Sequence, residues 1–172
     1  LLAILAGMIF TMIVQSSSAA VGIILVLANT NLISFDGALY LVYGSNIGTT
    51  ITAWLAVLTS SSTSKRVALI HTLFNVLGSV FFAILTYLGY FNRFINLITP
   101  GNVYAHQNVA RHIANAHTFF NIFNALILLP FSGLLVKIAQ KIIPQGPEET
   151  ISMGEPKFLD YHLIDDSYLA IE

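Results

Sequence analysis

Four consecutive polar residues, Gln15 to Ser18, interrupt an apolar stretch near the start of the chain. The residues before them, 1–14, and after them, 19–28, are almost all apolar. Unpaired polar groups are costly in hydrocarbon, so non-helical backbone persists at membrane depth only inside protein or beside a water-filled cavity. Each apolar part is also shorter than the roughly 20 residues that a membrane-spanning helix needs. The pattern predicts a re-entrant hairpin of two half-helices over 1–29; the alternative is one continuous helix whose serines bond back to its carbonyls.

A second interruption follows in the next apolar segment, 35–59. This segment contains the polar, glycine-bearing run 44–50, which predicts a broken helix. Side chains able to bind ions or polar ligands occur in this run or just after it: Asn46, Thr49, Thr50 and Thr52. Gly48 permits close approach of another backbone or a ligand. Two such breaks in neighbouring segments are typical of transport sites formed by discontinuous helices; the alternative is that the small residues only allow helices to pack closely.

Charge is distributed so unevenly that the chain divides into a membrane body and a solvated tail. Only 9% of the 172 residues are charged, against about 25% in a typical soluble domain. Residues 1–143 contain one acid, Asp36, and six bases, whereas 144–172 contain seven acids and one base. The body therefore offers no catalytic carboxylate pair, and the absence of cysteine excludes disulfides and thiolate metal sites. It also has no nucleotide-binding glycine motif and no basic face for nucleic acid, so neither an enzyme nor a nucleic-acid-binding protein is expected.

Two further segments, 65–90 and 112–143, are apolar and long enough to span a membrane. Pro130 is expected to kink the second of them. The connection between them, 92–111, contains Pro-Gly and many amides and is predicted to be a mixed loop.

Basic residues indicate how these segments are oriented. Five of the seven bases lie at one predicted level: Lys65, Arg66, Lys137, Lys141 and Lys157. Cytoplasmic loops carry an excess of Lys and Arg, so this level is assigned to the cytoplasm. The chain is therefore predicted to be a multi-pass protein of the cell (inner) membrane with an acidic cytoplasmic tail, 144–172. Its start within a hydrophobic run, without Met, is interpreted as belonging to a piece of a longer protein.

A short motif occurs in both long segments, as 71–75 and as 117–121. Each copy places a His and an Asn four residues apart, on one face of a helix. We interpret the two copies as matched polar positions that hydrogen-bond one helix to the other; the alternative is a polar seam beside a transport site. A metal site is not expected, because no cysteine or acid completes a ligand set.

The chemistry of the first break suits an anion beside a cation. A re-entrant turn exposes N–H groups at the start of the second half-helix, and these attract an anion together with the helix dipole. Free carbonyls at the end of the first half-helix and the amide of Gln15 suit a hard cation such as sodium. Coupling to protons usually needs a titrating group in the membrane, and only His71 and His117 are available. The residues therefore predict an anion and sodium bound at two broken helices.

The order and spacing of the two polar runs, 15–19 and 44–50, resemble the type II sodium/phosphate cotransporter family. Arg66, His71 and Phe74-Asn75 continue a likeness that covers roughly residues 1–140. The run Gly-Ser-Asn-Ile-Gly is similar to the C-terminal repeat of bacterial members. The resemblance implies an all-α membrane protein in which a re-entrant helical hairpin, a broken helix and two full transmembrane helices form one inverted repeat. It further implies sodium-coupled symport of inorganic phosphate by alternating access, with this chain supplying half of the site.

The resemblance also implies a role for each polar residue. The residues implied as sodium ligands are Gln15, Ser16, Thr49 and Thr52. Those implied to line the phosphate are Ser16, Ser17, Ser18, Asn46 and Thr50. Membrane lipid, sodium and phosphate are the implied partners, together with a missing first repeat or a second copy of a related repeat, and no organic cofactor is implied. The run 155–160 resembles the connector that leads into a PhoU-like cytoplasmic domain. The alternative function is a membrane-embedded phosphate or ion sensor, or an anchor, that does not translocate its ligand.

Overall fold

The computed structural model describes residues 1–146, and within them the regular secondary structure is entirely helical. The helices are α1 (Leu2–Val14), α2 (Ser17–Asn29), α3 (Phe35–Gly48), α4 (Thr50–Ala56), α5 (Ser62–Tyr87), α6 (Tyr90–Ile98), α7 (Val109–Leu128) and α8 (Ser132–Ile142). Two short 3-10 turns occur at Val103–Ala105 and Leu129–Phe131. The prediction of an all-helical protein is confirmed for this part of the chain, while nearly all of the predicted acidic tail lies outside the described residues.

Among residues 1–146, two helical segments are long and apolar enough to cross a membrane, Ser62–Tyr87 and Val109–Ile142. Both begin three residues earlier than predicted. The second consists of α7 and α8 with a 3-10 turn between them, and Pro130 lies in that turn, where its missing N–H costs no α-helical hydrogen bond. The Arg66 side chain donates from Nε to the Ile143 carbonyl at 3.0 Å, which joins the beginning of α5 to the end of α8.

Both predicted interruptions are present, but the second is narrower than predicted. The first lies at Gln15 and Ser16, between α1 and α2, so one continuous helix over this region is not what forms. The second is reduced to Thr49, which keeps right-handed helical angles (φ −59°, ψ −27°) between α3, helical through Gly44 and Gly48, and α4, which begins at Thr50.

The glycines of the second run are used for helix packing. A Cβ built on Gly44 would overlap the carbonyl oxygen of Ile4, and one built on Gly48 would overlap that of Met8. The later glycine of α3 contacts the later residue of α1, so the two helices run in the same direction with their backbones in direct contact. Gly7 of α1 is equally close to the Leu41 carbonyl. For the glycines, close helix packing is therefore the correct interpretation.

Prediction of a loop over 92–111 is wrong in its first part, which forms α6. Phe91 and Ile95 are buried on one face of this short helix, the i, i+4 spacing that an amphipathic helix requires. The Asn92 amide nitrogen donates to a carboxylate oxygen of Asp36 at 2.5 Å and so joins α6 to the start of α3. Asparagine and glycine in and near this segment gave it the composition of a loop, and the spacing of Phe91 and Ile95 was the signal for a helix.

Aromatic rings fill the space where α3, α5, α6 and α7 meet. Phe82 lies 5.0 Å from Phe91 and 5.1 Å from Phe120 between ring centroids, and Tyr43 lies 5.3 Å from Phe120. The Tyr43 hydroxyl also bonds the Thr86 hydroxyl at 2.7 Å. This core fixes α3 against the two long helical segments.

The repeated His and Asn motif does not hydrogen-bond the two long segments to each other. Asn75 donates to the carbonyl of His71 at 2.9 Å, and Asn121 donates to that of His117 at 2.8 Å, so each amide bonds within its own helix. Near these motifs, α7 bonds to α5 through Asn124 instead, which donates to the Phe74 carbonyl at 3.3 Å. The expectation of matched interhelical bonds is therefore wrong in the residues that it names.

Substitution of Gly44 by alanine is expected to destabilise the fold, because the added methyl group meets a backbone carbonyl that cannot rotate away. Overpacking of this kind costs roughly 1–3 kcal/mol. Gly22→Ala in α2 is the matched control, since a Cβ there meets nothing within 4 Å and alanine is the better helix former. Thermal unfolding of both variants in detergent tests the contact. Equal midpoints for the two variants would contradict it.

Candidate functional site

The first break is formed by one residue in a left-handed conformation followed by one in an extended conformation. Gln15 has φ 56° and ψ 20°, and its N–H donates to the Thr11 carbonyl at 2.7 Å. Ser16 follows with φ −140° and ψ 106°. The chain therefore leaves α1 with the last carbonyls of that helix lacking helical partners. The Gln15 side chain is exposed, so its amide oxygen is accessible.

The serines after Gln15 form the first turn of α2. Ser16 is the N-cap, and its hydroxyl oxygen accepts from the Ala19 N–H at 3.3 Å. That leaves the Ser16 hydroxyl proton available to donate, together with the N–H groups of Ser17 and Ser18, which have no helical partners at these positions. Within residues 1–146 the Ser17 and Ser18 hydroxyls make no hydrogen bond. The first break is thus rich in donors, as an anion requires.

Hydroxyls at the second break are arranged differently. Thr49 donates to the Ser45 carbonyl at 2.9 Å, Thr50 to the Ile47 carbonyl at 2.8 Å, and Thr52 to the Thr49 carbonyl at 2.9 Å. Each hydroxyl proton is therefore engaged, while the oxygen lone pairs remain. Oxygens of this kind suit a cation. In this arrangement Thr50 has no proton to offer a phosphate oxygen, which is a weaker fit to its implied role.

Asn46 lies inside the protein beside this break. Its side chain is 8% exposed, and its amide nitrogen donates to the Val42 carbonyl at 2.9 Å. One N–H of the amide and the amide oxygen remain beyond this bond, so Asn46 is able to serve either an anion or a cation.

Thr11 and Ser45 hold the two breaks at the same level. The Thr11 hydroxyl donates to the Ser45 hydroxyl at 2.9 Å, and both side chains are completely buried. Each residue lies four positions before its break, Thr11 before Gln15 and Ser45 before Thr49. Because α1 and α3 are parallel, each helix reaches its break about one turn after this bond, and the two breaks lie at the same level.

Neither Thr11 nor Ser45 was selected from the sequence as a candidate site residue. A lone threonine in an otherwise apolar half-helix, one turn before a polar break, was the signal available. Within 1–146 no hydrogen bond joins Gln15–Ser18 directly to Asn46–Thr52. The two breaks are therefore connected by contacts between α1 and α3, and not by bonds between the candidate site residues. The same part of the chain contains no cluster of three or more His, Cys, Asp or Glu residues suited to a metal ion.

Comparison with known proteins adds a family and several relatives. A sequence profile of the Na+/Pi-cotransporter family matches residues 1–99, which include both breaks. The chain is 34% identical over 142 residues to the uncharacterized protein YqeW of Bacillus subtilis, covering 83% of this chain and 43% of YqeW. It is 31% identical over 171 residues to YjbB of Escherichia coli, named as a candidate inorganic phosphate export protein, covering 99% of this chain and 30% of YjbB.

A human protein is also similar over a shorter region. Sodium-dependent phosphate transport protein 2C is 46% identical over 81 residues, covering 45% of this chain and 14% of the human protein. No solved structure matches the chain. The chain spans less than half the length of each of these relatives, at most 43%.

Proposed function

Because the chain belongs to the Na+/Pi-cotransporter family, we propose that it supplies half of a site for sodium-coupled symport of inorganic phosphate. The observation that carries this proposal is the Thr11–Ser45 hydrogen bond, which holds a donor-rich break and an acceptor-rich break at one level. An anion and a cation bound side by side reduce each other's charge, which a single neutral site in hydrocarbon does not offer. The protein as a whole acts as a transporter, without an organic cofactor.

Sodium is bound by neutral oxygens in this proposal. Its ligands are Gln15, Ser16, Thr49 and Thr52. The Thr49 and Thr52 hydroxyls donate their protons to carbonyls. The lone pairs of the hydroxyl oxygens therefore remain available to a cation. Hard cations take oxygen ligands of this type, including hydroxyls and carbonyls.

Phosphate is bound mainly by the first turn of α2. Its ligands are Ser16, Ser17, Ser18, Asn46 and Thr50. The N–H groups of this turn and the positive end of the helix dipole favour a doubly charged tetrahedral anion. Thr50 joins this set only if its hydroxyl releases the Ile47 carbonyl, so its contribution depends on a rotation when phosphate binds.

The proposed setting is the cell (inner) membrane. There α1 and α2 form a re-entrant hairpin, and the described helices form one repeat of an inverted pair, completed by another repeat of the same protein or by a second copy of a related repeat. The tail 144–172 lies in the cytoplasm and leads toward a PhoU-like domain. In support, both long apolar segments have the length and composition to cross a bilayer.

Sodium-dependent uptake of radiolabelled phosphate into liposomes that contain the full-length protein tests the proposal. Uptake should rise with an inward sodium gradient and disappear when sodium is replaced by choline. Flux should be measured in both directions, since one relative is named for export and another for sodium-dependent transport. Binding of phosphate without flux in either direction would favour a sensor or anchor instead.

The re-entrant arrangement predicts that both ends of the hairpin lie on one side of the membrane. Single cysteines introduced at Leu1 and at Asn31 should therefore react with an impermeant maleimide from the same side, because each half-helix is too short to span the bilayer. The chain has no native cysteine, so no background labelling arises from it. Labelling from opposite sides would exclude the hairpin.

Sodium affinity is expected to fall in Thr49→Ala and in Gln15→Ala, because each change removes an oxygen from the cation. An oxygen bound to a charged partner is worth roughly 1.5–3 kcal/mol, so the sodium concentration for half-maximal uptake should rise about tenfold or more. Thr118→Ala is the matched control, since this α7 threonine also donates to a carbonyl of its own helix, at 3.0 Å, but lies far along the chain from both breaks. Unchanged sodium dependence in both site variants would rule out the assignment.

Phosphate handling is expected to be impaired more than sodium binding in Ser17→Ala and in Ser18→Ala. Both hydroxyls lie at the positive end of α2, and alanine is a good helix former that leaves the helix intact. Ser132→Ala provides a control in the first turn of another helix, α8. The measurement is phosphate uptake with sulfate as competitor, together with thermal stability. Parent-like uptake in both variants would mean that these serines serve packing and that the anion binds elsewhere.

A further inference from the structure

Thr11 is buried one helical turn before the first break, and its hydroxyl bonds to Ser45 rather than to a residue assigned to phosphate or sodium. We propose that Thr11 is a positioning residue: its hydrogen bond to Ser45 sets the separation of the two breaks and thereby the affinity for sodium. This inference rests on the proposed sodium site, whose ligands come from both breaks.

A continuous set of hydrogen bonds joins the two proposed ligands Gln15 and Thr49. The Gln15 N–H donates to the Thr11 carbonyl at 2.7 Å, and the Thr11 hydroxyl donates to the Ser45 hydroxyl at 2.9 Å. The Thr49 hydroxyl in turn donates to the Ser45 carbonyl at 2.9 Å. The path from Gln15 to Thr49 therefore passes through only two residues, Thr11 and Ser45, and hydrogen bonds join all four residues in order.

The Thr11–Ser45 bond is the only hydrogen bond between α1 and α3 among the described residues. The glycine contacts bring the two backbones together, but van der Waals contacts have no preferred direction. A Cβ at Gly48 would lie 2.9 Å from the Cβ of Thr11, so the threonine is held beside that glycine. A directional bond between two fully buried hydroxyls adds a preferred register to these contacts, because unpaired buried hydroxyls are unfavourable.

Register matters because sodium needs oxygens from both helices at short and similar distances. Ligand groups held within about 0.5 Å of their working positions need no rearrangement when the ion arrives. If the bond is lost, sodium binding must itself bring the two breaks into register, so affinity falls. Once enough sodium is present the same bound state forms, and the maximal rate of uptake is retained.

The experiment compares two substitutions at Thr11 in the intact protein. Thr11→Val keeps the shape of the side chain and removes the hydroxyl, whereas Thr11→Ser keeps the hydroxyl. Thr86→Val is the control, because Thr86 also makes a buried hydroxyl bond that joins α3 to another helix, at 2.7 Å to Tyr43, without connecting the breaks. The sodium dependence of the thermal midpoint is measured at constant ionic strength with choline, and the sodium dependence of phosphate uptake is measured in liposomes.

Thr11→Val should raise the sodium concentration for half-maximal stabilisation and for half-maximal uptake by roughly threefold to tenfold, the range for one neutral hydrogen bond. Thr11→Ser should remain close to the parent protein in both. Thr86→Val should lower the thermal midpoint without moving the sodium concentration. If Thr11→Val fails to fold, Ser45→Ala breaks the same hydrogen bond from the α3 side. It should raise the sodium concentration for half-maximal stabilisation and uptake to the same extent.

Two results would overturn the inference. One is a parent-like sodium concentration in both Thr11→Val and Ser45→Ala, which would mean that the bond does not set affinity. The other is an equal shift in Thr86→Val, which would mean that any buried bond of α3 has this effect. A parent protein that sodium neither stabilises nor activates would instead refute the proposed sodium site, and the inference with it.

Discussion

Direct contact between the backbones of α1 and α3 is the constraint on which the site depends. Helices usually lie 8–10 Å apart because side chains separate them. Here Gly7, Gly44 and Gly48 remove the side chains at the crossing, and each glycine faces a carbonyl of the other helix. Since the two helices are parallel, this crossing brings the end of α1 and the end of α3 to one place. Any side chain larger than hydrogen at these positions would separate the two breaks.

The two breaks differ in what they offer a ligand, and the difference follows from where each helix begins or ends. The first lies at the start of α2, so its unsatisfied groups are N–H donors, to which the Ser16 cap adds a hydroxyl proton. At the second break the Thr49 and Thr52 hydroxyl protons are already bonded to the carbonyls of Ser45 and Thr49, so oxygen lone pairs are what remain. Side-chain composition alone would treat serine and threonine as equivalent. The helix ends make one group a donor set and the other an acceptor set.

Local signals accounted for much of the fold, whereas relations between distant residues did not follow from the sequence. The break at Gln15–Ser16 and the two long apolar segments depend on composition within a few residues, and the sequence indicated both. Gly44 and Gly48 were predicted to belong to a break, yet they remain helical because α1 lies against them, which is a tertiary effect. The same limitation applies to the His and Asn motif, whose amides bond within their own helices. The Thr11–Ser45 pair spans 34 positions, and the sequence does not indicate a pairing at that separation.

The two breaks also differ in how far this chain encloses them. At the second break Ser45, Asn46 and Thr50 are buried but Thr52 is exposed, whereas at the first break Gln15 and Ser18 are exposed and Ser16 is half-buried. An exposed amide and hydroxyl would remain hydrated, and hydration weakens both the dipole and the charge interactions on which an anion site depends. The donor-rich break therefore needs a cover from elsewhere to bind phosphate in a low dielectric, while the acceptor-rich break is enclosed around Asn46 and Thr50 and open at Thr52. The exposure of the first break is consistent with the proposal of a half-site, since a second repeat would cover the side chains that this chain leaves exposed.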